Sequence, residues 1–335
     1  MAKATSHKAA DGYRARDAAS WTEEKLMILD AYLKSFAKAC AKAGGWYDLD
    51  LFAGTGLTWS KTRGTEIAGS ALIALDAGSP KATKVIVAEQ NAASSKALEH
   101  RTQRYGNRVA RFNADANEIV ADMLALVPRR APAFAFLDPE GSELAWPTVE
   151  ALADHKRGHS PNKIEQLILF PTDMGFVRLA PDYPELVTRI FGHENWKDIY
   201  ERRERGGISA EQARGEYVRM YGDGLKSLGY KTVLDRQIKK EGGQPMYFLI
   251  FATDNAAGER IMDSVFNRVR LRVQEELGQA TLFDIKSGPR TRSPDGKSMV
   301  RQAAASVSAW TITGESLGIA TFGRSWRVMV CPRRS

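Results

Sequence analysis

The sequence predicts a doubly wound α/β domain with a C-terminal hairpin, a helical insertion and a basic C-terminal extension. Three observations predict it. Runs at residues 46–52, 84–88, 133–137 and 164–170 are mostly apolar, interrupted in the first by Asp48 and Asp50, as parallel strands buried on both faces are. Segments of helical period separate these runs. The first three also end on glycine- or acid-bearing turns, the places where a parallel sheet presents its carboxyl edge to a ligand.

Taken in order, residues 1–20 are small and polar and are expected to form a flexible arm ahead of a domain over 21–285. Leu26, Leu29, Leu33, Phe36 and Cys40 recur at spacings of three and four, so a helix is expected from Thr22, which is placed to cap it, to Gly44-Gly45, which stop it. Cys40 lies on the apolar stripe and reads as a buried structural thiol. The strand over 46–52 leads into Ala53-Gly-Thr-Gly56, and residues 57–68 are expected to form an enlarged loop carrying Lys61 and Arg63. Helix 70–77, strand 84–88, helix 92–105, strand 109–113, helix 118–126, strand 133–137, a helix near 148–154 and strand 164–170 follow. Residues 174–229 interrupt the alternation with charge-rich helical sequence, read as an insertion. Two runs, 230–238 and 245–252, meet at Gly242-Gly243 as a hairpin, and an amphipathic helix over 256–273 closes the unit.

Composition narrows the class. A chain of 335 residues fits one large or two small domains at ~150 residues each. With 43% hydrophobic and 26% charged residues it is neither disordered, collagen-like nor a disulfide scaffold. The longest apolar run, 246–252, is far below the ~20 residues of a membrane span. The N-terminal residues lack the apolar core of a signal peptide, and two cysteines make no disulfide framework. The expectation is a soluble cytoplasmic chain that does not associate with membranes. Net charge is +8, but residues 286–335 hold nine basic side chains against Asp295 and Glu315, so a +7 tail follows a nearly neutral body. Such a tail suggests an anionic partner as readily as a solubilising extension.

The strongest motif is Asp50-Leu-Phe-Ala-Gly-Thr-Gly56 at the first strand end. Glycines there let a ligand approach the backbone. A dinucleotide fingerprint fails because Trp59 occupies the third glycine position, and no Lys-Ser or Lys-Thr completes a P-loop. The motif instead looks like motif I of S-adenosylmethionine (SAM)-dependent methyltransferases, in which the acid and glycines surround the methionine half of the cofactor. Glu89 ends the second strand, where a carboxylate can accept both ribose hydroxyls. Asp115 follows the third, where one can accept from the adenine amine. Any one of these acids is more often a cap or turn residue; three at successive strand ends after a glycine motif point to a nucleoside site. Asp138-Pro-Glu-Gly141 follows the fourth strand. It reads either as a terminating turn or as a shortened D-P-P-Y motif of amino-methyltransferases, with Glu140 and Gly141 in place of the second proline and the aromatic. Asp138 and Glu140 are the candidate catalytic residues, Glu140 as base or substrate anchor.

The ordered set extends further. Lys25 and Tyr32, Asp50 to Gly56, Gly69-Ser70-Ala-Leu-Ile-Ala-Leu75, Glu89, Asp138-Pro-Glu-Gly141, Phe191-Gly192 with Trp196, Met246-Tyr-Phe-Leu-Ile-Phe-Ala-Thr253 and Leu282-Phe283 together resemble the three-Cys-motif partner protein family. The resemblance spans roughly residues 20–285. It implies a Rossmann-like methyltransferase fold and SAM binding through Asp50, Phe52, Gly54, Gly56, Glu89 and Asp115. It also implies association with a radical-SAM-type three-Cys-motif protein, often in phage or mobile-element settings. The three cysteines belong to that partner.

Three functions stay open: a methyltransferase acting on a nucleic-acid base, a non-catalytic SAM-binding partner subunit, and a small-molecule methyltransferase. In the first, the tail would hold phosphates, with Arg290, Arg292, Lys297 and Arg301 as the best group. No metal is expected: His155 and His159 lie among Gly158 and Ser160-Pro161 without a third ligand. No G-x-S-x-G occurs. Tyr247, Phe248 and Phe251 read as strand core rather than a base-stacking platform.

Overall fold

In the computed structural model, the described residues are 6–171, 180–240 and 243–286, with side chains described from 7 to 271. Two sheets form in this region. The larger has seven strands: β3 (Tyr47–Asp50), β6 (Lys84–Ala88), β7 (Val109–Phe112), β8 (Ala133–Leu137), β9 (Glu165–Pro171), β10 (Thr232–Lys239) and β11 (Pro245–Thr253). Their order is β10-β11-β9-β8-β3-β6-β7. β3 pairs parallel with both β6 and β8, β7 continues parallel beyond β6, and β9 beyond β8. β10 and β11 form an antiparallel hairpin, and β11 runs antiparallel to β9. The chain therefore builds outward from β3 to β7, then returns to β8 on the other side of β3. This reversal opens a crevice at the carboxyl ends of β3 and β8, where ligands bind in such sheets.

The apolar runs are continuous because both sheet faces are covered. Leu49, Leu51, Ile86, Ala135, Leu137, Ile168 and Phe170 face one core. This core is shared with helices α4 (Ala116–Ala125), α5 (Trp146–Asp154), α6 (Pro184–Phe191), α7 (Trp196–Glu204) and α8 (Ala210–Ser227). Val85, Val87, Phe134, Phe136, Leu167 and Leu169 face the other, packed against α1 (Ser20–Ala39), α2 (Ser70–Asp76) and α9 (Ala256–Lys286). The remaining helix, α3 (Ala92–Thr102), links β6 to β7. Full burial of each Phe contributes about 1.5–3 kcal/mol. The charge-rich segment before β10 keeps its ionic side chains outside and sends Phe191, Trp196, Tyr217 and Tyr221 inward, so it extends the first core. Gly192 ends α6 at φ +76, and a Cβ there would meet the Trp146 ring at 2.3 Å, so only glycine fits.

The N-terminal region departs from expectation. Residues read as a flexible arm instead supply β1 (Ser6–Lys8) and β2 (Arg14–Ala18). The segment read as an enlarged loop forms β4 (Leu57–Ser60) and β5 (Thr65–Ala68). Together they make a four-stranded sheet, β1-β2-β4-β5, with β2 parallel to β4 and β4 antiparallel to β5. Ion pairs replace an extensive apolar core here. Glu23 of α1 accepts from Ser60 and pairs with Arg63 at 3.0 Å, Lys61 pairs with Asp17 at 3.1 Å, and His7 stacks on Trp59 at 3.9 Å. α1 also starts earlier than Thr22: its N-cap is Ala19, with no side-chain cap, and Thr22 instead donates its amide to the Ala19 carbonyl at 2.9 Å.

Among the described residues no helix is long and apolar enough to cross a membrane. Residues 287–335, the rest of the basic extension, lie outside the described residues.

Candidate functional site

Two cavities of about 550 and 570 Å³ adjoin at the predicted crevice and share Arg16, Phe52, Thr55, Asp138 and Glu140 in their walls. The common wall makes them two lobes of one site, of a size that suits a small-molecule ligand. The first lobe is lined by Glu89, Asn91, Asp115, Glu143 and Arg189 in addition to the shared residues. The second takes in Gly54, Gly56, Ser70, Lys25, Trp21, Leu169, Met246 and Tyr247.

The glycine turn lies against both lobes. Gly54 and Gly56 adopt φ +60 and +79, a region that costs an L-residue about 1–2 kcal/mol. Space is also short. A Cβ on Gly56 would stand 3.1 Å from Leu98 Cδ1, and one on Gly69 would stand 2.9 Å from the Gly56 carbonyl oxygen. Gly69 donates its amide to that same oxygen at 2.9 Å, fixing the turn to the start of α2.

A residue that sequence reasoning missed anchors this turn. Arg101, near the end of α3, keeps only 4% of its side chain exposed. Its Nη1 donates to the Thr55 carbonyl at 2.7 Å and to the Arg14 carbonyl at 2.9 Å. Its Nε and Nη2 donate to Asp11 at 2.7 and 3.0 Å. The guanidinium thus joins the glycine turn to β2, using the planar fork that only arginine offers. In return, Arg101 holds the Asp11 carboxyl below its ordinary value. On the other side of the turn, Arg16 of β2 crosses over Gly54, its Cδ 3.6 Å from where a Cβ would stand, and pairs with Glu140.

The predicted acids fall into three situations. Glu89 and Asp115 line the first lobe, as expected for a nucleoside site. Each also serves the backbone: Glu89 accepts from the Asn91 amide at 2.7 Å, and Asp115 caps α4 by accepting from the Asn117 amide at 2.9 Å. Both residues thus serve as turn or cap and also face the first lobe. Asn117 extends the arrangement, donating to the Glu143 carbonyl at 2.9 Å and accepting from Ala145 and Thr148 at 2.9 and 2.8 Å. This ties the Asp138 loop to α4 and α5.

Asp50 is placed differently. It is buried to 1% exposure behind the turn, outside the cavity walls, and neither carboxyl oxygen has a hydrogen-bond partner. Burial pushes its carboxyl up to about 7; the Ser70 hydroxyl and Phe52 amide nearby pull the other way, and Asp138 and Glu89 add to the rise. Burial and Asp50 together raise the neighbouring Asp48 as well. A carboxyl whose folded value lies above its unfolded one binds more protons folded than unfolded. Its stabilising share is full at low pH and is lost as pH rises from about 4 through about 7. Asp50→Asn is therefore expected to be more stable than the native chain at about pH 8 in cofactor-free urea unfolding, the gap closing by about pH 4. Parallel curves at both values would contradict this.

Asp138 is engaged rather than open. Its Oδ2 accepts from Lys25 Nζ of α1 in a pair with 21% and 9% of the side chains exposed. Lys25 also lies 5.9 Å from the Tyr247 ring centroid. Glu140 pairs with Arg16, and its amide donates to Glu143 Oε2 at 2.8 Å. Burial raises the Glu143 carboxyl, opposed by Arg16. Arg290, Arg292, Lys297 and Arg301 lie outside the described residues. His155 Nε2 bonds the Val127 carbonyl at 2.8 Å, and no group of three or more potential metal ligands gathers among the described residues.

No family model and no curated protein matches the chain. Solved structures overlap it in part. A Legionella pneumophila protein is 10% identical over 75% of this chain and 92% of its own, with a TM-score of 0.46. The TYW2 protein of M. jannaschii, solved in complex with AdoMet, is 12% identical over 74% and 84%, with a TM-score of 0.35. The methyltransferase domain of bacterial CtHen1-C is 12% identical over 67% and 98%, with a TM-score of 0.32. These overlaps are low, and the Rossmann-like assignment rests on strand order and direction in the seven-stranded sheet.

Proposed function

We propose that the protein binds SAM across the two lobes and transfers its methyl group to a nucleic-acid base held in the second. The observation that carries this reading is the shared wall. A glycine turn at positive φ and Asp138 adjoin both lobes at the switch point of the sheet, with Glu89 and Asp115 in one lobe and an aromatic-lined space in the other.

The residues present fit the cofactor. Glu89 is suited to accept the ribose hydroxyls and Asp115 the adenine amine. Gly54 and Gly56, both at positive φ in the wall of the second lobe, leave their backbone bare to a ligand there. The orphaned Asp50 carboxyl beneath the turn places negative charge near a cationic ligand at pH values above about 7. SAM supplies an electrophilic methyl group on a sulfonium. The protein's part is to orient an acceptor beside it and exclude water, which Asp138, Phe52 and the crossing Arg16 are positioned to do. The acidic lining of the first lobe also complements a cation.

Choice of a nucleic-acid base draws on the tail charge. Removing residues 286–335 is expected to weaken oligonucleotide binding. The slope of log affinity against log salt should fall by about 0.7–0.9 for each phosphate that the tail had neutralised. An unchanged affinity and slope would make the tail a packing or solubility element.

One observation favours the second reading, a non-catalytic SAM-binding partner of a radical-SAM-type three-Cys-motif protein: Lys25 already neutralises Asp138. Incubation with methyl-labelled SAM and mixed nucleic acids separates the two. Label in the nucleic acid supports transfer. SAM binding without label in any acceptor supports the partner subunit.

A further inference from the structure

A buried ammonium stands where methyl transfer to an amine would need only an acceptor. Lys25 keeps 9% of its side chain exposed, and lysine seldom goes so deep without a specific partner. It projects from α1 into the wall of the second lobe, beside Asp138 and against the Tyr247 ring. An ammonium carries three donors. Among the described residues Asp138 Oδ2 is the hydrogen-bond partner of Lys25, and Asp138 Oδ1 accepts from none. The lobe thus offers a donor and an acceptor side by side. Around them, Trp21, Leu26, Leu169, Met246 and Tyr247 line an apolar and aromatic space suited to a flat ring.

We propose that Lys25 and Asp138 read the edge of a planar acceptor, Asp138 taking a hydrogen from an exocyclic amine and Lys25 donating to the adjacent ring nitrogen. Adenine and cytosine both present that edge, an amine next to a ring lone pair. Simple alkylamines and hydroxyls lack it. The assignment rests on the methyl-transfer reading for where the acceptor sits, but recognition of the edge is an equilibrium property measurable without turnover. It also gives the ion pair a purpose that a catalytic carboxylate alone does not: a site built to bond both groups rejects an analogue that lacks one, because a buried donor is then left unpaired. Lys25 becomes a specificity-determining residue.

The test uses the full chain saturated with demethylated cofactor, and trinucleotides with a central adenine or 1-deazaadenine, or a central cytosine or 3-deazacytosine. Fluorescence anisotropy at about 0.2 M salt keeps the phosphate contribution small. The native chain is expected to bind the natural bases about 10- to 100-fold more tightly than the deaza analogues, the scale of one charge-assisted hydrogen bond. Lys25→Met should lower the natural bases to the level of the analogues and leave the analogues unchanged. Lys25→Gln, which keeps an N–H donor, should recover part of the preference. An ion pair with a purely structural role would weaken all probes alike in Lys25→Met, and that result overturns the proposal. Equal binding of natural and deaza probes by the native chain, or no saturable binding of any probe, overturns it without a variant. A preference without labelled product would leave edge recognition standing and remove the catalytic reading; labelled product without a preference would do the reverse.

Discussion

Arg101→Ala is expected to lower chain stability by about 3 kcal/mol or more and to weaken SAM binding in the same variant. The loss is large because one side chain makes four hydrogen bonds to three segments: Asp11, the Arg14 carbonyl and the Thr55 carbonyl. Breaking a buried ion pair by removing one partner costs about 3–5 kcal/mol. Asp11 is 22% exposed, so water recovers part of its loss and the lower end applies. The Thr55 carbonyl, between two positive-φ glycines, loses its donor, and the turn gains freedom that cofactor binding must then remove. Arg101 holds the Asp11 carboxyl below its unfolded value, so this share of stability is present above the ordinary carboxylate range. It is lost as pH falls through the folded value, and the cost of Arg101→Ala should shrink in acid. Urea unfolding and calorimetry check both parts. A destabilised variant with undiminished SAM affinity would make Arg101 a strap anchor with no bearing on the cofactor turn.

Asp138→Ala is expected to abolish methyl transfer and also to destabilise the chain by about 3 kcal/mol, since it strands the nearly buried Lys25 ammonium. The two effects separate in the double variant Lys25→Met/Asp138→Ala. Removing both charges should restore most of the stability, because a buried pair replaced by apolar groups is often neutral. Turnover should stay absent, because no acceptor then faces the substrate amine. Transfer at the native rate in Asp138→Ala would remove this residue from the mechanism and favour the partner-subunit reading.

What was legible in the sequence follows from which physical signals are local. The seven-stranded sheet was readable because strands buried on both faces are mostly apolar, and runs such as 84–88 and 133–137 stand out for it. The glycine turn and the acids at strand ends were readable because sheet geometry places each strand end at the crevice. The N-terminal sheet was not. Arg14–Ala18 reads Arg-Ala-Arg-Asp-Ala, and it is held by ion pairs and by Arg101, which lies 87 residues from Arg14 in the chain. Nothing in a polar segment marks which distant guanidinium will bind it. Lys25 was visible only as part of a family resemblance, because its pairing with Asp138 spans 113 residues and depends on how α1 lies across the sheet. Asp50 was correctly placed at the strand end, yet its burial behind the turn, with Ser70 and Phe52 nearby, is a tertiary outcome that the motif does not reveal.

Calorimetric titration of the full chain with SAM tests the central claim most directly. Saturable binding in the micromolar range is expected, about −8 kcal/mol, in the absence of any partner protein. Glu89→Ala should weaken it by roughly 1.5–3 kcal/mol, the scale of hydrogen bonds to a charged group. Absence of binding heat from a chain shown to be folded by its cooperative unfolding would contradict the account.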